Sequence, residues 1–386
     1  MAGKFKIGIS MKPGLPEMLL TDSMWERLRK VADFTRHQEV MDYGNPAEMA
    51  RLSDIDYLWY GWEAPEVTPQ VLAAMPNLKG IVASQGSAYV KFTTEALEVA
   101  KERGIFATNV QVANSLPVAE YCLGVTLLES KYYMLSQRQY ERDRKPVDRE
   151  QAYPEAGTFG KTVGIVTATS QIARDFMTLL KPFDFKVIAW SRHLSDETAA
   201  RYGATKVSLD DVFRYSDIVS IHTPGIAQTK GMIGAHELGL MKDGALLMNT
   251  ARGIVIDPEA LERELVSGRI RAVLDVTYPS EPLPPDSPLW NRDNVILTPH
   301  IAGSMGCDLK RMGESVVREF EHIAAGEPLD HPEPNPLGDA NHPIVEHDPK
   351  DCNATEADTG AHGVGSKRSV AGQSAASADS GKGDRR

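Results

Sequence analysis

Between Thr162 and Pro299 the chain repeats one unit: a short apolar run, a turn, then a segment of helical periodicity. Runs such as TVGIV (162–166) and IVSIH (218–222) have little or no polar face, so both of their faces must be covered. Covered strands alternating with helices make a parallel sheet packed by helices on each side. The same grammar fills the N-terminal third. Strands are expected at Phe5–Ser10, Tyr57–Tyr60, Gly80–Ala83, Thr162–Val166, Lys186–Ala189, Ile218–His222, Ala245–Asn249, Ala272–Asp275 and Val295–Leu297. One long helix is expected from Ser115 to about Arg144, because Asn114-Ser115 followed by Pro117 and Glu120 reads as a helix start. The fold class is α/β with doubly wound sheets. At 386 residues the length suits two or three domains.

Composition removes several classes. There are 53 acidic and 42 basic residues, a net charge of −11, which is the wrong balance for a general nucleic-acid binder. Three cysteines, Cys122, Cys307 and Cys352, fit neither a disulfide scaffold nor a metal spacing, and point to a reducing cytoplasm. No apolar stretch is long enough to span a bilayer, and MAGKFKIGIS lacks the apolar core of a signal peptide. From Pro334 to Arg386 there is no Phe, Tyr or Trp, and Gly, Ser, Ala, Asp and Pro dominate. Residues 333–386 are therefore expected to be a disordered tail. Its His342, His347, His362 and Cys352 are too irregularly spaced to read as a metal site.

After TVGIV comes Thr167-Ala168-Thr169-Ser170-Gln171-Ile172-Ala173, where a dinucleotide fold carries its Gly-x-Gly-x-x-Gly turn. No glycine is present. Ala168, Ser170 and Ala173 hold the corresponding offsets. Alanine can serve close helix–strand packing, and serine can replace close backbone approach with a hydroxyl hydrogen bond. Ser170, Gln171 and Ile172 open a helix whose first amides and positive dipole end suit a phosphate. The next strand ends in Ser191-Arg192, about 20 residues on, where an NAD site places a ribose-binding acid. A hydroxyl and a guanidinium there suit a 2′-phosphate, which favours NADP over NAD.

Three loops end the later strands: Asn249–Gly253, Leu274–Pro282 and Leu297–Gly303. In a parallel sheet they share one edge and converge on a bound nicotinamide. A 2-keto acid needs a cation for its carboxylate, and Arg252 supplies a bidentate fork. Hydride delivery leaves an alkoxide that needs a proton, which His300 can donate.

The motifs GWEAPEVTPQVLAAMPNLKGIVASQGS, PVAEYCLG, LMKDGALLMNTARGIVID, LERELVSGRIRAVLDVT, PLPPDSPLW and NVILTPHIAGS resemble those of the D-isomer-specific 2-hydroxyacid dehydrogenases, the relatives of phosphoglycerate dehydrogenase and glyoxylate/hydroxypyruvate reductase. The resemblance covers roughly residues 55–330. It implies two similar doubly wound domains: a discontinuous substrate domain, 1–108 with 300–332, and a dinucleotide-binding domain, 109–299. It implies a homodimer built around the arm and long helix beginning near Ser115. It also implies that Arg252 binds the substrate carboxylate with the Gly86-Ser87 turn, and that His300 is the acid/base. Thr223-Pro224 would line the adenosine side, and Thr250, Ala251, Asp275 and Gly303 would surround the nicotinamide. Specificity would lie in Tyr60–Pro65 and Ala83–Phe92, with Trp62, Tyr89 and Lys91.

The chain departs from that pattern twice. The phosphate turn has lost its glycines. The family's histidine also pairs with a Glu, and counting from LDVT or back from Glu281-Pro282 puts Tyr278 or Pro279 in that slot. Either Glu281 swings in or the Tyr278 hydroxyl orients the imidazole; the formate dehydrogenase branch transfers hydride without that acid. Two functions follow: an oxidoreductase acting on a small 2-keto/2-hydroxy acid or an acid analogue, or a degenerate member that binds a nucleotide or a partner.

Overall fold

The computed structural model describes residues 4–337. Five parallel strands, β1 (Phe5–Ser10), β2 (Ala32–Asp33), β3 (Tyr57–Tyr60), β4 (Gly80–Ala83) and β5 (Phe106–Thr108), build the first sheet. The second contains β6 (Thr162–Val166), β7 (Lys186–Trp190), β8 (Thr205–Lys206), β9 (Ile218–Ile221), β10 (Leu246–Asn249), β11 (Arg271–Leu274) and β12 (Val295–Leu297). A last strand, β13 (Pro332–Glu333), returns to the first sheet and pairs antiparallel with β5. The orders are β13-β5-β4-β3-β1-β2 and β12-β11-β10-β9-β6-β7-β8. The core orders match the two common doubly wound arrangements, so the expected α/β class of two parallel sheets holds.

The helices are α1 (Leu15–Leu19), α2 (Asp22–Val31), α3 (Pro46–Met49), α4 (Pro69–Ala73), α5 (Thr94–Glu102), α6 (Gln111–Glu129), α7 (Tyr133–Asp143), α8 (Arg149–Ala152), α9 (Gln171–Leu180), α10 (Asp196–Arg201), α11 (Leu209–Tyr215), α12 (Ala235–Leu240), α13 (Pro258–Ser267) and α14 (Leu309–Ala325). Strand alternation explains why both sheet faces are covered. In β11, Ala272 and Leu274 face the core shared with α11, α12 and α13, while Val273 faces the core shared with α6 and α9. The first sheet divides likewise: Leu58 and Tyr60 of β3 face one core, and Tyr57 and Trp59 the other. No helix among the described residues is long and apolar enough to cross a membrane.

The long helix expected from Ser115 to Arg144 is instead two helices. It starts earlier, at Gln111, whose amide is capped by Asn109 Oδ1 at 2.9 Å. It stops at Glu129 because Arg271 claims that turn: Arg271 Nη1 donates to the Glu129 carbonyl at 3.2 Å and to its carboxylate at 2.8 Å. Tyr132 then adopts a left-handed φ of 54° and lays its ring 4.0 Å from the Arg271 guanidinium. Helical periodicity carries no sign of an arginine that arrives from a distant strand, so residue order alone does not show this break.

The expected disordered tail needs correction at its start. Residues 333–337 belong to the fold: β13 satisfies the edge of β5, and buried Asn335 donates to the Leu97 carbonyl at 2.9 Å. The rest of that segment, including His342, His347, Cys352 and His362, lies outside the described residues.

Helix α14 packs on α1 and α2 of the first sheet. Arg27 of α2 ties it down with ion pairs of 2.7 Å to Glu314 and to Glu321. At Gly313 a Cβ would collide with the Leu19 backbone carbonyl of α1. Backbone cannot yield as a flexible side chain does, so Gly313→Val is expected to lose about 1–3 kcal/mol of stability. Urea unfolding would measure the loss, and an unchanged midpoint would contradict this packing.

Candidate active site

The Arg252 loop follows β10, the Glu281 loop follows β11 and the His300 loop follows β12, three neighbouring parallel strands. Their carboxyl ends lie together, as the sequence implied. The Arg252 and Glu281 loops are pressed into contact at Gly253, where a Cβ would strike the Thr277 carbonyl. Only glycine permits that approach.

The histidine loop is built around Asp275. This residue is fully buried at the end of β11. Its carboxylate accepts from Thr298 Oγ1 at 2.6 Å and from the Ile301 and Ala302 amides, both at 2.8 Å. Its own carbonyl accepts the His300 amide at 3.0 Å. His300 sits at a left-handed φ of 55°, a conformation that non-glycine residues seldom adopt and that the surrounding hydrogen bonds hold.

His300 Nδ1 meets Glu281 Oε1 at 2.7 Å. The slot read from the sequence as lacking a carboxylate is therefore filled: the longer loop bulges and Glu281 reaches the imidazole. Tyr278 does not take this part. It lines a separate cavity of about 650 Å³ between its loop and α13. Counting residues could not reveal this, because the position of an acid in a bulged loop depends on loop path.

Arg252 is exposed. Its Nη1 donates to the Ala251 carbonyl at 2.6 Å, which braces the guanidinium against its own loop. Thr250 is buried, with its hydroxyl 3.4 Å from Cys122 Sγ. Burial pushes that thiol up to about 12, so it stays protonated. Gly303 packs against Asn114, whose Oδ1 accepts the Ser304 amide at 2.7 Å.

On the first sheet, the Gly86 and Ser87 amides make no hydrogen bond among the described residues. The Ser87 hydroxyl and the Ala88 amide, however, both donate to the Glu333 carboxylate of β13, the latter at 2.7 Å. That acid gave no signal in the sequence, since it falls within the segment expected to be disordered. Lys91 Nζ donates to the Ala64 carbonyl at 2.8 Å and so ties the two expected specificity loops together. Tyr89 is buried and Trp62 is 38% exposed.

The glycine-free turn after β6 is held by hydroxyl contacts. Thr167 takes a left-handed φ of 65°, a conformation glycine adopts without penalty and a β-branched residue does not. Its hydroxyl lies 2.7 Å from that of Thr223. Thr169 Oγ1 lies 2.9 Å from Ser191 Oγ. Ser170 caps α9 by accepting the Ala173 amide at 3.2 Å. The Gln171 and Ile172 amides fall in the first turn, where no intrahelical acceptor exists. Gln171 Nε2 is anchored on Asp175 at 2.8 Å. The Pro224 carbonyl closes the neighbouring turn by accepting the Ile226 amide at 3.2 Å. Arg192 is exposed, with no partner among the described residues. A helix N-terminus, free amides and a cluster of hydroxyls fit a pyrophosphate.

Next to Thr223, His222 is buried, 2.9 Å from Ser220 Oγ and packed on Phe176. Burial drives its pKa down from 6.5 to about 3. The folded protein thus excludes a proton that the unfolded chain accepts below pH 6.5. Stability from this residue is complete above pH 6.5 and declines as pH falls toward 3, by about 1.4 kcal/mol per unit at most. His222→Asn is expected to lose less stability than the parent between pH 6.5 and 5 in urea melts. Equal losses would show that the histidine is already charged when folded.

A family model described as "D-isomer specific 2-hydroxyacid dehydrogenase, NAD binding domain" matches residues 125–302. The D-3-phosphoglycerate dehydrogenase of Mycobacterium bovis is 32% identical over 265 residues, 68% of this chain and 48% of that protein. That of Methanocaldococcus jannaschii is 29% identical over 316 residues, 81% of this chain and 58% of its own length. The chain thus spans about half the length of the curated relatives it matches. Among solved structures, the TT0316 protein from Thermus thermophilus superposes with a TM-score of 0.65 at 27% identity, covering 85% of this chain and 99% of that one.

The Glu281–His300 contact has a direct test. Glu281→Gln keeps the shape but removes the charge beside the imidazole. Any turnover that uses His300 as a proton donor is expected to slow by about 10-fold or more at neutral pH, with nucleotide affinity retained in a fluorescence titration. Wild-type rates in that variant would show that the carboxylate is not used.

Proposed function

Because this chain belongs to the D-isomer specific 2-hydroxyacid dehydrogenase family, we propose that it reduces a small 2-keto acid, or an acid analogue such as a phosphonate, to the 2-hydroxy acid, with NADP preferred over NAD. The observation that carries this reading is the 2.7 Å contact between His300 and Glu281. A degenerate binding protein has no need to bring an acid onto that histidine through a lengthened loop.

When bound, the reduced nicotinamide supplies the hydride. The residues of this chain do the rest. The Arg252 guanidinium takes the substrate carboxylate, with the Gly86 and Ser87 amides as further donors. Nδ1 of His300 donates to Glu281, which leaves Nε2 of the imidazolium to give its proton to the forming alkoxide. Glu281 offsets the positive charge of the protonated ring. In the reverse direction neutral Nε2 takes the hydroxyl proton.

For the cofactor, Ser170, Gln171 and Ile172 receive the pyrophosphate. Thr223-Pro224 lie on the adenosine side. Thr250, Ala251, Asp275 and Gly303 surround the nicotinamide. Ser191 and the unpartnered Arg192 receive the 2′-phosphate. The same reading divides the chain into a substrate domain of 1–108 with 300–332 and a cofactor domain of 109–299. It makes the protein a cytoplasmic homodimer. Exposed Val112, Leu116, Leu128, Tyr133 and Tyr140 on α6 and α7 give that dimer an apolar face, and the unpaired thiols of Cys122 and Cys307 suit a reducing compartment.

The experiment is a parallel titration with NADPH and NADH by nicotinamide fluorescence, then turnover across 2-keto acids from glyoxylate upward. NADPH should bind more tightly, Arg192→Asp should erase that preference, and His300→Ala should abolish turnover with cofactor affinity intact. If neither nucleotide binds, the glycine-free turn has closed the site and the oxidoreductase reading fails.

A further inference from the structure

Helix α6 crosses from the first sheet to the second, and two consecutive residues on it touch two different site loops. The Cys122 thiol meets Thr250 beside Arg252 at 3.4 Å. The Tyr121 hydroxyl meets Thr298 Oγ1 at 3.0 Å. Thr298 in turn donates to Asp275 Oδ1 at 2.6 Å. A threonine hydroxyl has one proton, and here it goes to the carboxylate. The Tyr121 hydroxyl must therefore be the donor to Thr298. The chain of donors runs in one direction, from Tyr121 to Thr298 to Asp275. Burial raises the pKa of the Tyr121 phenol, which keeps the donor protonated.

Asp275 is the acceptor that fixes the His300 loop through the Ile301 and Ala302 amides. Thr298 and His300 are two residues apart, and the His300 amide bonds the Thr298 and Asp275 carbonyls, each at 3.0 Å. Rotation of the Thr298 side chain removes one of the three donors on Asp275 and loosens the segment that holds His300 at positive φ.

We infer that Tyr121 is a positioning residue, whose hydroxyl locks Thr298 onto Asp275 and thereby ties the place of His300 to helix α6. The inference rests on the assignment of His300 as proton donor. It goes beyond it by placing the control of that histidine on a helix that begins at Gln111, just after β5 of the first sheet. A tyrosine here joins the histidine loop to the element that links the two sheets.

The test uses the full chain and four variants: Tyr121→Phe, Thr298→Val, Thr298→Ser and the Phe/Val double variant. Backbone amide exchange over residues 298–302 is followed by mass spectrometry in the ligand-free protein. Exchange should quicken in Tyr121→Phe and Thr298→Val, stay near wild type in Thr298→Ser, and be no faster in the double variant than in Thr298→Val. With a 2-keto acid, kcat for Tyr121→Phe should fall about tenfold while KM is unchanged. Unchanged exchange in Tyr121→Phe, or strictly additive effects in the double variant, would overturn the inference. Quickened exchange in a protein that turns over no 2-keto acid would leave the hydrogen-bonded chain standing and sink the oxidoreductase assignment instead.

Discussion

A buried carboxylate is tolerated only where donors surround it, since leaving one unpaired in a protein interior costs several kcal/mol. Asp275 meets that condition with three donors drawn from one short segment, Thr298 to Ala302. Satisfying the acid and shaping the histidine loop are therefore the same event. The strained backbone of His300 persists because the residues on both sides of it are committed to Asp275. The Glu281 contact and the Tyr121 contact add to a loop whose path Asp275 has already set.

The wider fold explains why these groups meet. Every strand of the second sheet runs parallel, so the loops of β10, β11 and β12 leave from one edge. Close approach at Gly253 brings the Arg252 and Glu281 loops together. Helix α6 then braces the assembly from the other face, reaching Thr250, Thr298 and Ser304 with Cys122, Tyr121 and Asn114. At its far end the same helix stops where Arg271, itself the first residue of β11, takes the Glu129 carbonyl. The strand that carries Asp275 at one end thus terminates α6 at the other.

Much of this was legible from residue order. The nine expected strands appear with their ends within one residue, because apolar runs bounded by turns leave few alternatives. The short strands β2, β5, β8 and β13 escape such a reading, as two or three residues carry too little pattern. Arg252 and His300 could be singled out because their motifs follow strands of one parallel sheet, β10 and β12. Glu281 could not be assigned, because a bulged loop does not preserve counting. Thr167, Thr169 and Tyr121 gave no signal of their own, since hydroxyl-bearing side chains are common in turns and helices, and only their pairing distinguishes them.

Residue order by itself determined the α/β class, the two sheets, the family resemblance and the chemistry on offer: a guanidinium, an imidazole and a helix N-terminus. These follow from hydrophobic period and from residue type, both local properties. Tertiary structure alone decided which acid faces His300, where α6 breaks, that Glu333 engages the Ser87 turn, and which hydroxyls hold the glycine-free turn. Each depends on groups far apart in the chain meeting within hydrogen-bond reach. That distance is set by how helices and loops pack on the sheets, and no local pattern encodes it.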